Sequence, residues 1–255
     1  MHDLKLGGKI AVVTGGASGI GESVSFALAR EGAKIVVADL SEENAGNVVN
    51  AIKDSGGEAY AVQVDVSSRA SVKKLFEAVV EKYGTVDILV TAAGIAVSVK
   101  FEDVTEEDWQ KILGVNLIGT FFCIQEAVAI MKQHDGNGKI VTISSDTGKR
   151  GGRGGGGGVP YAASKGGVLA LTRTISREMA VYPDFSINCV CPGPTDTPMH
   201  KNKTTEHRQT VSKEIPKGRF AKSEEIANGV LFLVSDLSTF VYGETLNVDG
   251  GLLRD

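Results

Sequence analysis

Short apolar runs rich in valine and isoleucine alternate with longer stretches whose apolar residues recur at helical spacing. Lys9–Thr14 predicts a strand and Gly19–Glu31 a helix. Lys34–Asp39 predicts the second strand, Glu42–Ser55 a helix closed by Gly56 and Gly57, and Glu58–Val64 the third strand. Ser68–Tyr83 predicts a helix ended by Gly84, and Val86–Ala92 the fourth strand. Thr105 opens a long helical stretch. Thr105-Glu106-Glu107-Asp108 has the form of a capping box with an acidic first turn, with Asp standing where Glu or Gln is usual. Lys139–Ser144, Phe185–Val190 and about Thr245–Asp249 predict the remaining strands, with a glycine-rich loop and a helix around Tyr161 between the first two. Strands that are apolar almost throughout, joined by crossover helices, imply a parallel sheet buried on both faces, an α/β doubly wound fold. No Pro/Ser-rich or charge-run linker divides the 255 residues, so a single domain over 1–255 is expected.

Composition narrows function more than fold. A hydrophobic share of 42% with 23% charged residues allows a substantial core, and a net charge of −4 argues against a whole-molecule affinity for nucleic acid. The opening Met1-His2-Asp3-Leu4-Lys5 has no apolar signal core, and no run of eighteen apolar residues occurs. A soluble, cytoplasmic protein with no membrane partner is therefore expected. Three cysteines do not read as a disulfide framework. Cys189 and Cys191 share one face of a strand, but a lone Cys-x-Cys lacks the other ligands of a zinc site. Buried reduced thiols and no metal are expected.

The candidate chemistry centres on Tyr161-Ala162-Ala163-Ser164-Lys165, which follows residues 151–158, seven of them glycine. A tyrosine and a lysine four apart share one helix face. The ammonium can stabilise a phenolate and draw the tyrosine pKa from about 10 toward neutrality. A shift of two to three units takes roughly 3–4 kcal/mol of differential interaction. A tyrosine tuned in that way exchanges a proton with a carbonyl or an alcohol near neutral pH. Chance supplies such a pair often enough that it needs company.

That company begins at the first strand–helix junction, Thr14-Gly15-Gly16-Ala17-Ser18-Gly19-Ile20-Gly21. Glycine there lets the backbone turn tightly and approach a diphosphate, whose charge the helix N-terminus stabilises. The spacing is Gly15-x-x-x-Gly19-x-Gly21, and no Gly-Lys-Ser/Thr follows, which excludes a P-loop. Taken alone, the turn also suits a plain tight connection. Asp39 closes the second strand, where a carboxylate accepts hydrogen bonds from both adenosine ribose hydroxyls and repels a 2′-phosphate. Ser18, Leu40 and Ser41 offer no cation to hold such a phosphate. NAD(H) is expected over NADP(H).

With these residues the chain resembles the short-chain dehydrogenase/reductase family over essentially its whole length. The resemblance is carried by Thr14–Gly21, Asp65-Val66 after the third strand, and Asn116 in the fourth helix. It continues through Ser144-Ser145 after the fifth strand, Tyr161-x-x-x-Lys165, and Asn188 followed by Pro192-Gly193. It implies a seven-stranded Rossmann-type parallel sheet with helices on both faces, and a homotetramer packed partly through its long central helices. It also implies a catalytic set of Asn116, Ser145, Tyr161 and Lys165. Ser145 would hydrogen-bond the substrate oxygen, and Tyr161 would be the acid/base. Lys165 would bind the nicotinamide ribose and depress the tyrosine pKa, while Asn116 would hold a relay water. Ser145 is favoured over Ser144 because Gly148 stands three residues after it. Around the cofactor the resemblance places Gly15, Ser18, Gly19, Ile20, Gly21, Asp39 and Leu40. It adds Asp65, Val66, Ala92, Gly94, Pro192, Gly193, Thr195 and Thr197, with Tyr161 and Lys165. Two departures stand out. Thr91-Ala92-Ala93-Gly94 replaces the usual Asn-Asn-Ala-Gly, which leaves open how that strand is pinned, and the segment between Ser145 and Tyr161 is a few residues longer than usual.

A substrate loop and lid are expected near 146–160 and 194–220. They carry Lys149, Arg150, Arg153, Lys201, Lys203, His207 and Arg208, which would make the mouth of the site basic within an acidic protein. An anionic substrate, such as a CoA-linked hydroxyacyl compound, is the resulting hypothesis; solvated lid charges are the plainer reading. The function expected is an NAD-dependent dehydrogenase or ketone reductase acting on a small molecule. A carrier-protein-linked 3-oxoacyl reductase, a sugar or polyol dehydrogenase, and an NAD-binding regulatory protein without catalysis are its rivals.

Overall fold

The computed structural model describes residues 4–97, 99–134, 136–152, 158–200 and 204–253. The chain begins with β1 (Ile10–Thr14), α1 (Gly19–Arg30), β2 (Lys34–Asp39), α2 (Glu42–Asp54), β3 (Glu58–Gln63), α3 (Arg69–Tyr83) and β4 (Ile88–Thr91). It continues through α4 (Glu106–Leu113), α5 (Thr120–Met131), β5 (Gly138–Ile143), α6 (Asp146–Arg150), α7 (Gly158–Glu178) and β6 (Phe185–Pro192). The last part holds β7 (Thr195–Asp196), α8 (Thr205–Glu214), β8 (Ala221–Lys222), α9 (Ser223–Val234) and β9 (Thr245–Val248).

Seven strands form one parallel sheet in the order β3-β2-β1-β4-β5-β6-β9, as the family resemblance implied. The chain runs outward from β1 to β3 and then returns to β4 on the other side of β1. That reversal opens a crevice at the carboxyl ends of β1 and β4. Ala11 and Val13 of β1 enter a core shared with α1, α2 and α9, while Ile10 and Val12 enter a second core shared with α3 and α5. An apolar strand with no polar alternation is thus buried on both sides.

Local signals set the helix ends. The Ser41 and Ser68 hydroxyls accept from the N–H groups of Asn44 and Ser71 at 3.3 and 3.4 Å, and Gly84 ends α3 at a φ of 80°. At Thr105 the capping box forms with aspartate. Thr105 Oγ1 accepts from Asp108 N–H at 3.1 Å, and Asp108 Oδ2 accepts from Thr105 N–H at 3.0 Å.

The ladder redraws several expected boundaries. β4 is confined to Ile88–Thr91, because only those residues pair with β1 and β5, although Val86 is buried. β6 extends to Pro192, whose partner is Val248 of β9. The short β7–β8 pair and helices α8 and α9 had no counterpart in the pattern reading. The helical stretch Glu106–His134 is long and apolar enough to cross a membrane by length and composition. Here it lies along the sheet, with Cys123, Ile124, Ala127 and Met131 in the second core.

Candidate active site

The glycine turn is built by close approach. A Cβ on Gly15 would stand 2.7 Å from the Ala93 backbone, and one on Gly21 would run into the Gly15 carbonyl oxygen. Gly15 and Gly19 hold φ values of 63° and 55°, which favour glycine. Ser18 precedes α1 without capping it through its side chain, so Gly19, Ile20 and Gly21 start a helix whose first N–H groups suit an anion. Asp39 ties this turn to the next helix. Its Oδ2 accepts from Ala17 N–H and its Oδ1 from Ser41 N–H, both at 3.1 Å, with Leu40 exposed beside it. Asp65 accepts from the N–H and hydroxyl of Ser67 at 2.9 and 2.6 Å, and Val66 is buried beneath Gly119.

Across the crevice, Ala92 N–H donates to the Thr14 carbonyl at 3.1 Å and Ala93 N–H to Thr14 Oγ1 at 3.4 Å. The Thr14 hydroxyl therefore pins the strand end that lacks the usual asparagine. The segment after β6 joins the same place. A Cβ on Gly19 would touch the Thr197 side chain at 3.3 Å. Thr195 Oγ1 donates to the Gly193 carbonyl at 2.8 Å, and Gly193 N–H donates to the carbonyl of Val248 at 3.1 Å, directly after Pro192. A glycine cradle, an uncapped helix start and a strand-end carboxylate together fit a dinucleotide.

Tyr161 lies in the first turn of α7, where Pro160 suits helix entry. Its hydroxyl faces the side chain of Ser145, which follows β5. Lys165, one turn on, is buried. Its Nζ donates to the Ile143 carbonyl at 2.8 Å and lies 5.8 Å from the centre of the Tyr161 ring. Asn116 is 0% exposed and sits in a π-helical turn, Gly114–Gly119, between α4 and α5. Such turns recur at functional sites. Its Oδ1 accepts from Ile95 N–H at 2.9 Å, while its Nδ2 donates to the Ile95 carbonyl at 2.9 Å and to Ser164 Oγ at 3.0 Å. A Cβ on Gly94 would lie 3.4 Å from Lys165 Nζ and 3.5 Å from Asn116 Oδ1, so that glycine keeps open the space between them.

Burial governs the charges here. It pushes Tyr161 up to about 12; the Ser145 hydroxyl beside it works in the opposite direction, and the charges of Asp146 and Cys191 add to the rise. It also draws Lys165 down to about 8. The expected depression of Tyr161 by Lys165 is therefore not met by these residues alone. The lysine loses its own charge more readily when buried, and its Nζ is turned to a carbonyl.

The basic mouth also changes. Arg150 pairs with Asp146 at 2.6 Å, and Arg208 pairs with Asp196 at 3.1 Å while covering the Phe220 ring at 4.5 Å. Both guanidiniums are held by the chain's own carboxylates. Arg153, Lys201 and Lys203 lie outside the described residues, as does most of the glycine run. The sequence reading weighed Ser144 only as the alternative to Ser145 and gave Ser164 and Asp146 no contact in the site. Ser144 Oγ donates to the Lys165 carbonyl at 2.8 Å, Ser164 bridges Asn116 to the Tyr161 turn, and Asp146 contacts Ser145. Only their adjacency to Ser145 and Lys165 could have drawn notice.

A family model described as enoyl-(acyl carrier protein) reductase matches residues 15–253. The 3-oxoacyl-[acyl-carrier-protein] reductase FabG of Thermotoga maritima is 39% identical over 251 residues, covering 98% of this chain and 100% of that relative. The protein of the same name from Aquifex aeolicus is 36% identical, over 98% of this chain and 99% of its own length. Among solved structures, that of gox2181 superimposes with a TM-score of 0.94 at 35% identity, covering 98% of this chain and 97% of that one.

Proposed function

The chain belongs to the short-chain dehydrogenase/reductase family, and from that footing we propose that it transfers a hydride between NAD(H) and a secondary alcohol or ketone. The observation that carries this is the convergence of Asn116, Ser145, Tyr161 and Lys165 beside the glycine turn at the carboxyl ends of the strands. The nicotinamide supplies the redox chemistry. The chain's residues orient the reactants and handle the proton. Tyr161 exchanges a proton with the reacting oxygen, and Ser145 hydrogen-bonds that oxygen. Lys165 places a positive charge behind the phenol and takes the nicotinamide ribose. Asn116 fixes the strand end at Ile95 and the turn that carries Tyr161, and holds the relay water. Ser18, Gly19, Ile20 and Gly21 receive the diphosphate; Asp65, Val66 and Leu40 border the adenosine; Ala92, Gly94, Pro192, Gly193, Thr195 and Thr197 border the nicotinamide half.

Asp39 supports NAD(H), because its carboxylate closes β2 with the backbone N–H groups of Ala17 and Ser41 around it and with no Lys or Arg among Ser18, Leu40 and Ser41. The substrate we favour is a 3-oxoacyl or 3-hydroxyacyl thioester, bearing CoA or a carrier protein. The names of the relatives support it. A second reading is a carrier-protein-linked reductase that uses NADPH. We place the protein in the cytoplasm as a homotetramer. Ile118 in the Gly114–Gly119 turn, Phe121 on α5, Phe232 on α9 and Phe240 after it are exposed apolar groups that subunit contacts would cover.

Purified protein is offered acetoacetyl-CoA and the corresponding carrier-protein thioester with NADH or NADPH, and 3-hydroxybutyryl-CoA with NAD or NADP, while reduced nicotinamide is followed by absorbance. Turnover with NADH or NAD on either thioester supports the proposal. Preference for the phosphorylated cofactor replaces it with the second reading, and inertness toward every pair removes it.

A further inference from the structure

The crevice lies at the carboxyl ends of the strands, and the amino ends of the same sheet carry a second cavity that the proposed reaction does not use. It encloses about 370 Å³, within the range of small-molecule sites. Lys139 of β5 and Ser186 of β6 both line it. They are register partners, so their side chains stand side by side on one face of the sheet. That face is the one covered by α9, because Val141 and Val190, an even number of positions further along each strand, share a core with Val234. Leu6, Ile88 and Val234, all members of that core, give the cavity an apolar wall.

Ser186 is 5% exposed, yet its hydroxyl has no hydrogen-bond partner among the described residues. Buried hydroxyls are nearly always paired, and one left alone at a cavity wall points to a group that the chain does not supply. The charges divide in the same sense. Lys9 and Asp87 satisfy each other at 3.3 Å, and Asp87 also accepts from Ile10 N–H at 2.8 Å. Lys5, at the same cavity, is also engaged. The Lys139 ammonium and the carboxylates of Asp184 and Asp236 line the cavity without an ion pair among the described residues.

An unpaired hydroxyl beside an ammonium, with unpaired carboxylates and an apolar wall, complements a molecule that carries an anion, a cation and a small apolar group. We propose that this cavity binds a free α-amino acid with an apolar side chain. Its carboxylate takes the Lys139 ammonium and the Ser186 proton, and its ammonium faces Asp184 and Asp236. Its side chain lies against Leu6, Ile88 and Val234. A simple anion would be repelled by the two carboxylates, and a simple cation would leave Lys139 and Ser186 without a partner. The site is independent of the roles given to Tyr161 and the cofactor.

L-Leucine is the probe, titrated calorimetrically into the full chain. Isocaproate, which lacks the ammonium, and isoamylamine, which lacks the carboxylate, are its analogues. The expected result is saturable binding of one leucine per chain with a Kd below about 1 mM, and each analogue weaker by about tenfold or more. Ser186→Ala and Lys139→Met should each weaken leucine by about tenfold while cofactor affinity stays as in the wild type. No leucine binding with a Kd below about 1 mM would overturn the inference. So would an analogue within about twofold of leucine, or full leucine affinity in either variant when circular dichroism shows it folded. Inertness of the wild type toward every thioester leaves leucine binding untouched, so failure of the proposed function and failure of this site are read separately.

Discussion

The side-chain amide of Asn116 donates to the hydroxyl of Ser164 at 3.0 Å, and that hydroxyl donates to the Tyr161 carbonyl at 2.7 Å. One buried serine thus couples the π-helical turn between α4 and α5 to the helical turn that carries the proposed acid/base. Asn116 also grips both backbone groups of Ile95, so the strand end after β4 is held by the same side chain.

Ser164→Ala leaves an Asn116 N–H unsatisfied in a site closed to water, which costs about 1–3 kcal/mol. The expected result is a lower denaturation midpoint and a kcat reduced roughly tenfold, in line with a loosened tyrosine turn, while KM for the cofactor stays within about twofold. Steady-state kinetics beside urea unfolding reads both. A variant with unchanged kcat would limit Ser164 to a structural role.

Tyr161→Phe should lower turnover by about 10²–10⁴-fold while cofactor affinity, read from quenching of protein fluorescence, is retained. Wild-type alcohol oxidation should rise with pH from neutrality into the alkaline range. Its base form is the phenolate, and burial holds that tyrosine up to about 12. A rate that falls across this range argues for a different base.

Lys165 links the site to stability. Its pKa is drawn down to about 8 from an ordinary 10.5, so between these values the unfolded chain binds more protons than the folded one. Stability rises with pH in that window, and the penalty of burying the ammonium is fully present below pH 8. Relative to Lys165→Met, the wild type should therefore gain roughly 3 kcal/mol across it. Urea titrations of both proteins at several pH values measure the difference. Parallel curves would mean that the ammonium is not destabilised by burial.

Two glycines separate close approach from mere propensity. Gly21→Ala drives a Cβ into the Gly15 carbonyl and should destabilise by about 3 kcal/mol while abolishing dinucleotide binding. Gly46→Ala, in α2 with nothing within 4 Å of the new Cβ, should stabilise by about 0.5–1 kcal/mol. Thermal melts and cofactor titration distinguish them, and equal behaviour would remove the close-approach argument.

Asp39→Ala removes the acceptor of two backbone N–H groups as well as the charge that repels a 2′-phosphate. It should weaken NAD binding about tenfold or more and narrow the margin over NADP. Calorimetric titration with both cofactors is the measurement, and an unaltered preference would detach cofactor choice from this residue.

Much of this was legible along the chain. Apolar runs with no polar alternation announced a sheet buried on both faces, Thr105 announced its helix, and the glycines and Asp39 marked the strand ends around the crevice. The outer elements were harder to read. The β7–β8 pair consists of two residues on each side, too short for any periodicity to register, and its partners are joined only after α8 intervenes.

Sequence alone determined which residue types stand at which strand ends, because backbone preference and burial pattern act over a few neighbouring positions. Tertiary structure decided what those residues touch. That Thr14 supplies the hydroxyl that pins Ala93, that Lys165 turns to Ile143, that Arg150 is spent on Asp146 rather than facing the mouth, and that burial raises Tyr161 all depend on contacts between separate elements. Hydrogen bonds and desolvation depend on distances of a few ångströms, and those distances exist only once the sheet has brought β1, β4, β5 and α7 together.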